Sequence, residues 1–256
     1  MRSGRLLACL VVLAVASPAM ATFSTINSAF PGEDSQLQIF NHIYGPSFSA
    51  TGVNNRDYVN NTNTIKATRV EDVYTGTSTP ASPLSVTGNV GNDDQVWHAD
   101  FRFVSAKAVF AAFNQEFGYF DPTTNMYVPL ITNIGHDYNV SNTNVNISSL
   151  SGDTLRWARG GDNGVFSSRN SDNPDHADHM VTYRIDGLSD ASSGMITWLL
   201  FWEDHKTTDK GADFDYQDLV VQIKAMPLNT TPTPEPAALG SLLVCGFVGL
   251  ARRRRA

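Results

Sequence analysis

An unusual concentration of carboxylates lies near the end of the sequence, where residues 203–218 contain six acidic residues against two lysines. Carboxylates this close together repel one another unless a cation or hydrogen-bond donors offset the charge. Calcium suits such a set, because it takes about six to eight oxygen ligands from Asp, Glu and carbonyl groups. We therefore predict a calcium site formed by Glu203, Asp204, Asp213, Asp215 and Asp218.

The spacing of these residues differs from that of an EF-hand. An EF-hand loop needs a glycine at its sixth position and a glutamate at its end, and the run that starts at Asp213 has neither. Magnesium is less suited to the cluster, since it usually binds together with phosphate. The alternative is a solvated acidic loop whose aspartates bond their own backbone.

A second polar cluster consists of Asp175, Asp178 and His179, just before a strand-like segment. Together with His176 it offers the ligand types of a zinc site. The alternative is that His179 orients Asp178 or a loop carbonyl.

No recognised catalytic motif accompanies these clusters. The sequence contains no G-x-S-x-G, H-E-x-x-H, P-loop or dinucleotide-binding fingerprint. We therefore predict that the protein is not an enzyme. A carboxylate pair such as Glu203 and Asp215 could serve glycoside hydrolysis at the right separation, so that alternative stays open.

Short runs that alternate apolar and polar residues, with turn residues between them, must hold these clusters in place. Residues 195–202 form a nearly continuous apolar run, which is typical of a central strand covered on both faces. Residues 106–120 fit either a strand or a short helix. The other sets predicted to alternate along strands are Leu37, Ile39 and Ile43; Trp97, Ala99, Phe101 and Phe103; Leu155 and Trp157; Val181, Tyr183 and Ile185; and Leu219, Val221 and Ile223.

This pattern predicts an all-β domain at residues 22–228, an antiparallel β-sandwich or jelly roll. All four tryptophans sit in strand patterns and are expected in the core rather than against a sugar. The domain contains no cysteine, because Cys9 and Cys245 lie near the chain ends. It therefore needs a large core, bound metal ions or both.

The N-terminus has the features of a signal peptide at residues 1–21. Arg2 and Arg5 precede an apolar stretch at residues 6–16. Ala19 and Ala21 supply the small residues that signal peptidase needs, which predicts cleavage after Ala21 and export of the chain.

The C-terminus carries a second targeting segment. A proline-rich spacer at residues 229–236 leads to a tail at residues 237–256. As a helix, the apolar part of the tail would be about 22 Å long, against a bilayer core of about 30 Å. Four closing arginines should stay on the cytoplasmic side. They are Arg252, Arg253, Arg254 and Arg255.

Pro234, Glu235 and Pro236, the apolar segment and the arginines together resemble a PEP-CTERM sorting signal. The resemblance implies a bacterial protein that is anchored transiently in the inner membrane and processed by an exosortase-type enzyme. It also implies delivery to the cell envelope, the cell surface or an extracellular matrix that contains exopolysaccharide. The alternative is a plain transmembrane helix that acts as a permanent anchor.

Residues 162–225 resemble a second family, the domain of unknown function 4114. The resemblance rests on Glu203 and Asp204 after an apolar run, then on Asp213, Asp215 and Asp218. Gln217 stands where that family usually has Asn. The resemblance implies a β-sandwich at the cell surface, without an established activity.

The charge narrows the function further. The chain has 25 acidic and 18 basic residues. Six of the basic ones lie in the two targeting segments and one acidic residue, Glu235, lies in the spacer, so the domain has 12 basic and 24 acidic residues and a formal charge near −12. This balance argues against nucleic acid, which needs clustered Lys and Arg. We predict an exported, calcium-binding surface or matrix module. The alternatives are a lectin-like glycan-binding domain and a hydrolase that acts on exopolysaccharide.

Overall fold

A computed structural model describes residues 25–45, 48–51, 57–60, 65–70, 95–111, 113–135, 144–210 and 212–226. These residues form two antiparallel sheets, one of eight strands and one of five. The mostly antiparallel β fold predicted from the sequence is therefore confirmed. The predicted signal peptide, its cleavage site, the spacer and the tail lie outside the described residues.

The larger sheet has the strand order β1-β2-β3-β11-β12-β13-β5-β8. All of its neighbouring strands are antiparallel. Its strands are β1 (Phe48–Thr51), β2 (Asp57–Asn60), β3 (Lys66–Arg69), β5 (Asp100–Val109), β8 (Asn144–Asn146), β11 (Met180–Asp186), β12 (Ile196–Trp202) and β13 (Leu219–Met226).

The smaller sheet has the order β10-β9-β6-β7, and β4 pairs with the same edge of β9 as β10 does. Its strands are β4 (Trp97–His98), β6 (Gln115–Phe120), β7 (Tyr127–Ile131), β9 (Thr154–Gly161) and β10 (Phe166–Ser167).

The main core lies between the two sheets and is rich in aromatic rings. Trp198 of the larger sheet packs edge-on against Trp97, with ring centroids 5.7 Å apart. Phe117 of the smaller sheet contacts both Trp157, at 5.5 Å, and Trp202, at 6.2 Å. All four tryptophans are buried, as predicted.

The central strand of the larger sheet, β12, is buried on both faces along its whole length. Trp198, Leu200 and Trp202 face the smaller sheet. Leu199 and Phe201 belong to a second apolar cluster on the opposite face. The prediction of a doubly covered central strand at this position is confirmed.

The opposite face of β11 and β12 is covered by a helix, α1 (Gln36–Tyr44). The prediction of strand-like alternation at Leu37, Ile39 and Ile43 was therefore wrong. Ser35 caps the helix and forms a reciprocal capping box with Gln38. The Ser35–Gln38 pair is a helix-start signal, whereas the spacing of the three apolar residues is compatible with either a helix or a strand.

One other local prediction needs correction, and one open alternative is decided. Phe103 does not share a face with Phe101, because a register shift in the pairing of β5 with β13 falls between them and turns Phe103 toward the outer face. The ambiguous segment 106–120 contains the end of β5 and all of β6 rather than a helix. Within the described ranges, no helix is both long and apolar enough to cross a bilayer.

Candidate metal centre

The predicted metal ligands lie on the connection between β12 and β13. Trp202 and Leu219 pair at the closed end of this hairpin, so residues 203–218 form its loop. Both flanking strands are held by fully buried side chains. The ends of the loop are therefore fixed, and its carboxylates have limited freedom to separate.

The five predicted carboxylates do not form a single ring around one point. Glu203, Asp204 and Asp218 form one group, which we call the inner triad. Asp213 and Asp215 instead join Glu33, from the N-terminal segment, in a second group that we call the outer triad. Within each triad, one oxygen from each carboxylate lies within 4.8 Å of the others.

The two triads differ in their access to solvent. Glu203 and Asp204 are 0% and 1% exposed. In the outer triad Asp215 is buried, whereas Glu33 and Asp213 are half-buried. Asp218, the third member of the inner triad, is half-buried. The inner triad is therefore the more buried of the two, with two buried carboxylates against one in the outer triad.

The smaller sheet anchors the inner triad through Asp204. Gln115 of β6 donates from Nε2 to Asp204 Oδ2 at 2.7 Å, and its Oε1 accepts from Arg159 Nε of β9 at 2.6 Å. The Arg159 guanidinium, which is fully buried, also lies 3.4 Å from Asp204 Oδ2. The backbone N–H of Asp204 donates to Asp218 Oδ2 at 2.7 Å, which links the two ends of the loop.

The outer triad depends on an unusual backbone conformation. Phe214 and Tyr216, which flank Asp215, have φ values of +53° and +57°. This left-handed region is unfavourable for bulky side chains, so the surroundings must hold it in place. Tyr216 is buried and donates its hydroxyl to the carbonyl of Asp178 at 3.1 Å. The backbone is therefore not extended at this point, and the carboxylates of Asp213 and Asp215 nevertheless converge.

The N-terminal segment reaches this loop from about 185 residues away in sequence. The N–H of Asn27 donates to the carbonyl of Phe214 at 3.0 Å, and that of Phe30 donates to Asp215 Oδ2 at 3.3 Å. Gln36, at the start of α1, donates to the carbonyl of Asp215 at 3.2 Å. These bonds bring Glu33 to the outer triad.

Each triad has a buried oxygen without a hydrogen-bond partner among the described residues. In the inner triad this atom is Glu203 Oε2. At the outer triad it is Oε1 of Gln217, a fully buried side chain whose Nε2 donates to both Glu33 and Asp215 at 2.8 Å. A buried carboxylate oxygen without a partner is destabilising, so a ligand at Glu203 Oε2 would be stabilising. At Gln217 the atom that contacts Glu33 and Asp215 is Nε2 rather than Oε1.

Burial is the largest cause of raised pKa values at five of the six carboxyl groups. It raises the pKa of Glu203 to about 8, with the charge of Asp213 as the next cause. It raises the pKa of Asp215 to about 7, again with repulsion from Asp213. The pKa values of Glu33, Asp213 and Asp218 are raised as well. Ionising the cluster is therefore costly unless a cation is present.

The second polar cluster supports this loop and is separate from the two triads. His179 is fully buried, and its Nε2 lies 3.0 Å from Asp175 Oδ1. Asp175 also accepts the backbone N–H of Thr207 at 2.8 Å. The carboxylate that contacts His179 Nε2 is thus Asp175, whereas Asp178 accepts the N–H of Met180 at 3.1 Å.

No protein-family profile and no curated protein matches the chain. Among solved structures, it resembles the C-terminal domain of the BC2L-C lectin from Burkholderia cenocepacia. The two are 14% identical, and the match covers 50% of this chain and 88% of that chain with a TM-score of 0.28. A likeness this distant carries no conclusion about function.

The donor set fits a hard cation that prefers oxygen. Oxygens that share one calcium ion at about 2.3–2.6 Å lie no more than about 5 Å apart, and the 4.8 Å limit within each triad meets that condition. Neither triad contains His or Cys. The sequence prediction missed three residues of this site. Glu33 lies far from the acidic run in sequence, Gln217 is not a carboxylate, and Arg159 is both distant and basic. The capping box beside Glu33 is the one local signal that marks its surroundings as ordered.

Proposed function

We propose that this protein is an exported, calcium-binding and non-catalytic module of the cell surface or extracellular matrix. One observation carries the proposal: six carboxylates converge where Arg159 is the one fully buried cation within ion-pair reach among the described residues. Such a cluster is unstable as an ionised set, and a bound divalent cation resolves the repulsion.

The composition of the cluster favours calcium over other metals. Zinc sites are built from Cys, His and acidic ligands in tetrahedral sets, whereas both triads here offer carboxylates alone. Magnesium requires near-ideal octahedral geometry and keeps several waters. Within the inner triad, the nearly complete burial of Glu203 and Asp204 leaves little room for such waters.

Burial also supports a non-catalytic role. A glycoside hydrolase must bring two carboxyl groups to either side of the scissile bond. Glu203 and Asp215 are 0% and 3% exposed, so a sugar ring has no access to both. The burial of every tryptophan likewise removes the indoles as stacking surfaces for a lectin-like role.

The proposed export rests on the two terminal segments of the sequence. Signal peptidase would remove residues 1–21, and an exosortase-type enzyme would process the tail near Pro236. The module would then reside among exopolysaccharide outside the cell. Intact-mass measurement of the protein from envelope material tests this: a mass that still includes Arg252 to Arg255 would refute processing and leave a permanent anchor.

Thermal unfolding of the purified protein in calcium, in magnesium and in chelator tests calcium binding. Calcium should raise Tm, since a ligand at a hundredfold excess over its Kd stabilises the folded state by about 2.7 kcal/mol. The double variant Asp213→Asn/Asp215→Asn should lose part of this response. Asp209→Asn is the matched control, because Asp209 lies in the same loop but in neither triad. A Tm that calcium leaves unchanged in the wild type would refute the proposal.

A further inference from the structure

A groove of about 520 Å³ lies on the outer face of the larger sheet, where β5 and β13 run side by side. Its floor is formed by two cross-strand pairs, Phe103 opposite Lys224 and Ser105 opposite Gln222. Val104, which lies between Phe103 and Ser105 on β5, points into the main core, so the two pairs face outward. The volume lies within the range of about 300 to 1,000 Å³ that ligand sites occupy.

Two irregularities in β5 aim side chains into this groove. The pairing of β5 with β13 shifts once between Phe101 and Phe103 and again between Ala106 and Ala108. The first shift turns Phe103 outward. The second leaves Lys107 without a residue opposite it on β13, and its side chain lines the groove. Extra residues of this kind re-aim side chains next to functional sites.

The groove has a positive charge in an otherwise acidic domain. Two of its lining residues, Lys107 and Lys224, are cationic, and one, Asp190, is anionic. Lys224 pairs with Asp190 at 2.5 Å, whereas half-buried Lys107 forms no ion pair with any residue that the structure describes. Burial lowers the pKa of Lys107, and repulsion from Lys224 lowers it further. An anionic group of a ligand would offset this charge.

The uncharged side chains of the groove suit a sugar. The hydroxyl of Ser105 and the exposed amide of Asn144 can bond sugar hydroxyls. The half-buried ring of Phe103 offers an apolar surface for the face of a sugar ring, so no tryptophan is needed.

The backbone of the floor argues against an extended peptide as the ligand. Along residues 103–105, β5 pairs with β13 on one side and with β8 on the other. Peptides that add to a sheet bind at a free edge, where unpaired N–H and C=O groups are available. Recognition in this groove therefore depends on side chains, which matches a ligand that bonds through hydroxyl and carboxylate groups.

We propose that the groove binds a segment of an acidic glycan, with a sugar carboxylate on Lys107 and Lys224 and a sugar ring against Phe103. The groove is independent of the calcium binding proposed above, because no residue of either triad lines it. It would attach the module to an anionic polysaccharide.

A glycan array that presents oligosaccharides in matched pairs tests the proposal. The oligosaccharides are those of galacturonic acid, mannuronic acid and hyaluronan, each with its carboxylates free or converted to methyl esters. Labelled wild-type protein, at a fixed calcium concentration, should bind at least one free acid and lose that binding on the ester. Lys107→Met should weaken the binding about ten- to a hundredfold, the range for a hydrogen bond to a charged group.

Lys66→Met is the matched control, since Lys66 is an exposed lysine of β3 that does not line the groove. It should bind as the wild type does. Asn144→Ala removes an exposed amide of the groove and should weaken binding a few-fold, which gives a second test if Lys107→Met does not fold.

Three results would overturn the proposal. In the first, no free acid binds better than its ester. In the second, carboxylate-dependent binding is unchanged in Lys107→Met and Asn144→Ala, as a calcium bridge to the acidic cluster would give. In the third, polyglutamate displaces the protein as readily as the soluble sugar does, which would show that charge alone is recognised.

Discussion

Replacing Glu203 by Gln should stabilise the calcium-free protein and weaken its response to calcium. Glu203 is fully buried in the inner triad, and its Oε2 has no hydrogen-bond partner among the described residues. The amide keeps the shape of the side chain, removes the ionisable group, and brings N–H groups that can donate hydrogen bonds to Asp204 and Asp218. The substitution therefore separates two effects of the Glu203 carboxyl group: the loss of folding stability that it causes without calcium, and the calcium binding that it supports.

The pKa of Glu203 sets the magnitude. The folded value is about 8 against an ordinary value of 4.5, so at pH 7 the calcium-free fold holds a proton that the unfolded chain releases. Each pKa unit corresponds to about 1.4 kcal/mol, which makes the cost of holding this proton at pH 7 about 3 kcal/mol. We expect Glu203→Gln to recover about 1 to 3 kcal/mol in chelator, which raises Tm by about 2 to 10 °C for a domain of this size.

Thermal melting of the wild type and Glu203→Gln, each in chelator and in calcium, measures both effects. The variant should melt higher than the wild type in chelator and gain less from calcium. Asp209→Asn, whose side chain accepts a loop N–H that Asn can still satisfy, should match the wild type in both conditions. If Glu203→Gln melts lower than the wild type in chelator, Glu203 is a satisfied part of a polar network and the argument from its raised pKa is wrong.

Three further predictions concern the charges around the loop. Calcium affinity, measured by calorimetry, should rise from pH 6 to pH 8, because Asp215 and Glu203 must lose protons at pKa values of about 7 and about 8. The calcium-free protein should lose stability over the same pH range. An affinity and a stability that do not change with pH would contradict both expectations. Arg159→Met should lower stability in chelator by about 3 to 5 kcal/mol, since it leaves Asp204 without its buried cationic partner, and calcium should restore part of the loss. Burial alone would raise the pKa of Asp175, but two backbone N–H groups and an imidazole lower it to about 2. The contribution of Asp175 to folding stability should therefore be complete above pH 4 and lost as the pH falls toward 2. Asp175→Asn should cost about 1 to 2 kcal/mol of stability at pH 7 and make acid denaturation less steep.

The strands were predictable where the sequence pattern has one interpretation. Val181, Tyr183 and Ile185 alternate with polar or half-buried positions, and β11 follows them. The apolar run at residues 195–202 admits a doubly covered strand, and β12 is that strand. In both places the period and the β-branched or aromatic residue types agree, so local preference and tertiary packing favour the same element.

The parts that escaped prediction depend on contacts between distant residues. Phe103 turns outward because of a register shift against β13, and no feature of the β5 sequence alone marks that position. The burial of Arg159 beside Asp204 depends on how the smaller sheet meets the hairpin loop. The contribution of Glu33 depends on the fold of the N-terminal segment over the larger sheet. Spacing within the acidic run could identify the candidate ligands, but it could not assign them to two triads.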